Sequence, residues 1–157
     1  MKYRITIRNY MRVISTFVLL LSIALLTHTA TAQDDAAVEA AAASWLQLVD
    51  DSDYTGSLEA SGQLMQSSVT AEQWQQALQG VGQQLVALAG EPIDLTQREL
   101  IEVANVDDLP NLPEGEYRAV RYRTSQAGHD FAEIVTLQRE SDEWKVVGYF
   151  VAPETAE

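Results

Sequence analysis

Three carboxylates, Glu99, Glu116 and Glu133, fall inside stretches whose residue alternation reads as β-strand. A carboxyl buried in a sheet loses hydration, its pKa rises, and it becomes competent as a general acid or base. Glu133 is the foremost of the three, because a period of two puts Phe131, Val135 and Leu137 on its face. Tyr117 and Tyr149 are the hydroxyls that would work beside it. Trp74, Arg98 and Arg121 complete the candidate lining of a pocket, in which the arginines would fork onto a carboxylate or phosphate. Each group also has a plainer role. Glu133 can pair within the sheet with Arg98, Arg118, Arg121 or Arg123, and Tyr117, Tyr122 and Tyr149 can be core residues with a hydroxyl at the rim.

Other combinations fail on spacing or on composition. His129 and Asp130 are adjacent, so on a strand they point to opposite faces, and Gly128 places them at a turn. Asp50, Asp51 and Asp53 lack a calcium-loop pattern, since the sixth position from Asp50 is Thr55 and the twelfth is Ser61. With no cysteine and two histidines among 157 residues, thiol catalysis, cysteinyl zinc and iron–sulfur sites are excluded. There is no phosphate-binding glycine loop, nucleophile elbow or HExxH. The residues therefore assign no catalytic group, no metal site and no cofactor.

The elements that must position these groups divide the chain in two. From Gln33 to Pro92 there are nine acids and no cation, and the period is helical. Asp34 or Asp35 is placed to cap a first helix carrying Val38, Ala42, Trp45 and Val49, which Asp50-Asp51-Ser52-Asp53 should end. Tyr54–Ser61 reads as a short second helix weakened by Gly56. A third is opened by the capping box Thr70-Ala71-Glu72-Gln73, carries Trp74, Leu78, Val81, Leu85 and Leu88, and stops at Gly90 and Pro92. Strands follow over 95–106, 116–125, 130–140 and 143–152, with a Pro-punctuated loop over 107–115 and a tight hairpin at Ser141-Asp142. Helices first and hairpin strands second spell α+β with an antiparallel four-stranded sheet. In the last strand, simple alternation points Trp144, Val146 and Phe150 one way and Val147, Tyr149 and Val151 the other. Apolar groups on both faces make the sheet a candidate homodimer surface.

The ordered set Ala43-Ser44-Trp45-Leu46-Gln47-Leu48-Val49-Asp50, Tyr54, Val69-Thr70, Gln73-Trp74, Arg98, Pro113-Glu114-Gly115-Glu116-Tyr117, Glu133-Ile134-Val135 and Trp144 to Phe150 resembles the bacterial secreted family called domain of unknown function 4019, over about residues 40 to 151. The resemblance implies no activity. The family's usual third-helix Arg followed by Pro-Leu-Gly is replaced here by Gly82-Gln83-Gln84-Leu85-Val86, and its second-helix Trp by Leu58. The order of elements is similar to nuclear transport factor 2-like (cystatin-like) cones, in which a curved sheet wraps a long helix around a pocket. That shape hosts enzymes and binding modules alike.

The amino terminus reads as an address. Lys2, Arg4, Arg8 and Arg12 precede an apolar run from Val13 to Leu26, and Ala30-Thr31-Ala32 offers small residues for cleavage after Ala32. A run of 14 residues falls short of the roughly 20 that a spanning helix needs. Removal of residues 1–32 leaves a single domain over 33–157 with its core at about 35–152. It takes away four cations and no acid, moving the formal charge from −13 to −17. Such a charge excludes a basic nucleic-acid binder and, once the segment is cleaved, stable membrane insertion is not expected. A periplasmic or secreted, non-catalytic module that binds a small ligand or a protein is the resulting expectation. The alternatives are a pocket enzyme using Glu133 with a Tyr, and an envelope-complex subunit docking through the outer sheet face.

Overall fold

The computed structural model describes residues 32–107 and 112–154. The export signal expected over 1–32 therefore lies, Ala32 apart, outside the described residues. Two compact units divide the chain, residues 1–36 and residues 37–157. Of the first, residues 32–36 are described and are helical. Asp34 and Asp35 thus stand within helix, and neither is the cap expected of it.

The second unit opens on helix α1, residues 37–50, which buries Val38, Ala42, Trp45 and Leu46. Ser52, with φ of 61°, turns the chain. Asp53 then caps helix α2, Tyr54–Ala60, its Oδ1 accepting from the Gly56 N–H at 2.9 Å. Gly56 is required by that cap, since a Cβ there would overlap the Asp53 carboxylate. Helix α3, Gln63–Ser68, was not expected from the sequence. Its six residues are too few for a period to show, and its start is held by the sheet: Gly62 N–H donates to Val146 O at 2.7 Å and Gln63 N–H to Glu140 Oε1 at 2.8 Å. Helix α4, Ala71–Ala89, has the reciprocal Thr70–Gln73 capping box and ends on Gly90 in the left-handed region, φ 79°.

Strand β1 is Glu99–Asn105, β2 Tyr117–Gln126, β3 His129–Glu140 and β4 Glu143–Pro153. They form one antiparallel sheet in the order β1-β2-β3-β4, so the fold is α+β, helices first and an open four-stranded sheet after. The first strand starts later than residue 95 because Asp94 caps a 3-10 turn, Leu95–Gln97, its Oδ1 accepting from Thr96 N–H at 3.0 Å. The β2–β3 hairpin turns on Ala127 and Gly128, both with positive φ (56° and 75°) as a tight two-residue hairpin demands.

A β-bulge corrects the expected faces of the last strand. Leu137 pairs with Val146 and Val135 with Tyr149, leaving Val147 as the extra residue. The parity flips there, so Trp144, Val146, Tyr149 and Val151 share the face of Val135 and Leu137, while Phe150, opposite Ile134, turns to the other side. The inner face packs on the helices in one core containing Val38, Trp45, Leu58, Met65, Trp74, Val120, Val135 and Val146. On the outer face Phe150 is 59% exposed.

Buried indoles join the helices to each other. Trp45 Nε1–H donates to Ser57 O at 2.8 Å and to Ser61 Oγ at 2.9 Å, and Trp74 Nε1–H to Ser57 Oγ at 3.0 Å. Ser57→Ala leaves the Trp74 N–H buried without an acceptor, an expected loss of about 1–3 kcal/mol in equilibrium urea unfolding.

Candidate functional site

Arg98, Glu133 and Tyr149 are brought together with a residue that sequence reasoning missed. Asp50, the last residue of α1, stood in the sequence as a helix-ending, solvated charge. In the fold its carboxylate takes both ends of one guanidinium: Arg98 Nη1 lies 2.7 Å from Oδ2 and Nη2 2.8 Å from Oδ1. The same Arg98 reaches Glu133 through Nε, 2.5 Å from Oε2, with Nη2 3.5 Å from Oε1. Tyr149 OH donates to Glu133 Oε1 at 2.7 Å. Glu133 is 0% exposed, so a fully buried carboxylate accepts from a cation on one oxygen and chiefly from a phenol on the other. Of the four arginines offered to Glu133, the partner is the one that precedes the strands, delivered by the turn that Asp94 caps.

One cation between two carboxylates leaves a formal excess of one negative charge. Burial pushes the Glu133 carboxyl above its ordinary value, while Arg98 and the Tyr149 hydroxyl pull against the rise. Burial works against the Arg98 charge too, but Asp50 and Glu133 outweigh it and hold the guanidinium above its usual range. The Tyr149 phenol is raised by burial and by the neighbouring Glu133 charge, and so stays protonated. Tyr122, opposite Glu133 in β2, is pushed up to about 12, first by burial, and its hydroxyl is buried without a hydrogen-bond partner.

In front of Tyr149 lies a groove of about 570 Å³. Val49, Tyr54 and Tyr149 line it together with Leu78, Val81, Gly82, Leu85 and Val86 of α4 and Pro92, Ile93 and Leu95 of the following segment. Its lining is apolar apart from Gln79, Gln83 and the tyrosine hydroxyls. Gly82, where the departure from the family pattern begins, lines this space, and a Cβ there would meet nothing within 4 Å.

The other candidates scatter. Trp74 is buried beneath, its ring centroid 6.2 Å from that of Tyr149 and 5.9 Å from that of Trp45. Tyr117 is at the far end of β2, its hydroxyl donating to Pro113 O at 2.8 Å. Arg121 lies on the outer face, where Glu154 binds it and also Arg123. Glu116 is exposed and 3.9 Å from Arg139, and Glu99 is exposed opposite Arg123. His129 is exposed, and Asp130 accepts from Ser125 Oγ at 2.5 Å instead of facing it. Among the described residues no three acidic or histidine side chains are placed to hold a metal ion, and no helix is long and apolar enough to cross a membrane.

The family model described as protein of unknown function, DUF4019, matches residues 41–149, from the middle of α1 to Tyr149. The chain belongs to this family. The matched span holds Asp50, Arg98, Glu133 and Tyr149, so the whole buried network of this DUF4019 protein lies within it. None of the curated proteins and none of the solved structures matches the chain.

The raised Glu133 carboxyl sets a pH dependence with a definite sign. Above its ordinary value of 4.5 the unfolded chain has released a proton that the native chain still holds. The group's contribution to stability is therefore full below 4.5 and is lost as pH rises through the folded value. Glu133→Gln removes that loss. Chemical denaturation from pH 4.5 toward neutrality should give a more positive stability-versus-pH slope for the variant than for the wild type.

Proposed function

We propose that the protein is an exported, non-catalytic binding module whose groove takes a small apolar ligand. The supporting observation is the groove itself, apolar-walled and floored by a Tyr149 whose hydroxyl is already held by a buried carboxylate. Sites for small ligands are concave, mostly apolar and pre-formed, with few polar groups. Export rests on the basic opening, the Val13–Leu26 run and the small residues ending at Ala32. The packing of Trp74 of α4 against Tyr149 of the sheet supports reading the domain as a nuclear transport factor 2-like cone.

The same geometry argues against a pocket enzyme built on Glu133. Its oxygens are occupied by Arg98 and Tyr149, its side chain is fully buried, and the proton of Tyr149 is committed to it. A general acid or base must reach the substrate within hydrogen-bond distance. The pair is better suited to holding the groove floor still.

Binding of the neutral fluorophore N-phenyl-1-naphthylamine tests this reading. The wild type should enhance its emission saturably, and Gly82→Leu, which fills the groove, should abolish the effect. Replacing a mid-helix glycine should raise stability, by up to about 1 kcal/mol, so loss of binding cannot be laid to unfolding. Equal binding by both proteins would refute the groove.

Phe150 supports a second role, self-association through the outer face. It stands beside Gly148 and Ala152 in its own strand and faces Ile134, with Ala132 and Thr136 alongside. A protruding ring beside small residues offers both a knob and a hollow, the self-complementarity that a two-fold interface needs. Sedimentation should show a dimer that strengthens with salt, as screening relieves acidic repulsion, and Phe150→Lys should give a monomer. A wild type that stays monomeric at every concentration removes this role.

A further inference from the structure

We infer that the ligand of the groove is cationic: an apolar chain or ring bearing an ammonium head, the chain lying against α4 and the head at the acidic rim. This inference rests on the binding role proposed above and adds the charge class of the ligand. The groove's lining carries no charged side chain of either sign. Acids adjoin its wall in the chain everywhere but along α4: Asp50 follows Val49, Asp53 precedes Tyr54, Glu91 precedes Pro92, and Asp94 lies between Ile93 and Leu95. Arg98 pairs with Asp50, and among the described residues no salt bridge is made by Asp53, Glu91 or Asp94. Residues 37–92 contain no Lys or Arg. The first cation after them, Arg98, is spent on Asp50 and Glu133 and leaves that cluster one negative charge in excess. Arg121 and Arg123 lie on the opposite face of the sheet, bound by Glu154.

A carboxylate or phosphate entering this groove would meet a field of its own sign with no donor cation to receive it. An ammonium meets the opposite situation. The acidic surroundings raise its local concentration, and the ring of Tyr54 offers a negative π-face inside an apolar wall. An aliphatic or aromatic body then fills the space that Gly82 lines. Gln79 and Gln83, the neutral polar side chains of the lining, can accept from a primary ammonium through their amide oxygens.

Calorimetric titration of the purified protein with three ten-carbon chains, decyltrimethylammonium, a decyl sugar and decanoate, each below its micelle concentration, separates the outcomes. At low salt the cation should bind at least about ten-fold more tightly than decanoate, with the neutral chain between them, and the spread should contract as salt screens the field. Asp53→Asn combined with Glu91→Gln should narrow the same spread without touching the groove wall, since Asn still caps α2. If all three chains bind alike, or decanoate binds best, the charge preference is wrong and the groove stands. If none binds while N-phenyl-1-naphthylamine also fails, the groove itself is wrong.

Discussion

One guanidinium holds together three parts of this chain that the covalent sequence keeps apart. Arg98 reaches 48 residues back to Asp50 and 35 residues forward to Glu133. Removing three ions from water is expensive, and an arrangement with two anions and one cation does not fully repay it. What the arrangement supplies is position. The planar fork meets one carboxylate through two parallel bonds and the other through Nε, which fixes the end of α1 against the middle of β3. Because Arg98 follows Pro92, Ile93 and Leu95 so closely, the same contacts seat the segment that makes one wall of the groove. The groove thus has one wall seated by an ion cluster whose charged residues do not line it.

Tyr149 connects the two. Its hydroxyl is tied to Glu133, while its ring lies 5.4 Å from Trp45 and 6.2 Å from Trp74 between centroids. Both indoles are in turn fastened to α2 through Ser57. A ring held at its polar tip and packed against two indoles has little rotamer freedom left to lose.

How much of this was legible depends on how local each signal is. The capping box at Thr70, the stop at Gly90 and the glycine turn at 128 are set by neighbours in sequence, and they appear where the residues put them. The inward face of Phe131, Glu133, Val135 and Leu137 was readable because β3 alternates without interruption. β4 was not, since its bulge at Val147 reverses parity for everything beyond it, and the adjacent Gly148 is the strand's one mark of the place. The partner of Glu133 was narrowed to four arginines, but choosing among them needs the fold. Arg98 lies outside the strands, and Asp50 looked solvated because nothing near it in sequence carries a positive charge. The short α3 depends on bonds from Val146 and Glu140, far along the chain.

Helix α4 shows how the groove arises from the same periodicity that builds the core. Its apolar residues step along one stripe from Trp74 to Leu88, yet burial stops short of the end: Trp74, Leu78 and Leu85 are buried, whereas Val86 is 39% and Leu88 53% exposed. The second half of the helix thus carries apolar side chains outside the main core cluster. Glycine at 82, which weakens a helix by roughly 1 kcal/mol relative to alanine, lies in that half and lines the empty space. A sequence optimised for helix stability alone would place alanine there, whose Cβ would meet nothing within 4 Å. Glycine there leaves that wall of the groove without a side chain, next to a tyrosine held at its hydroxyl by Glu133.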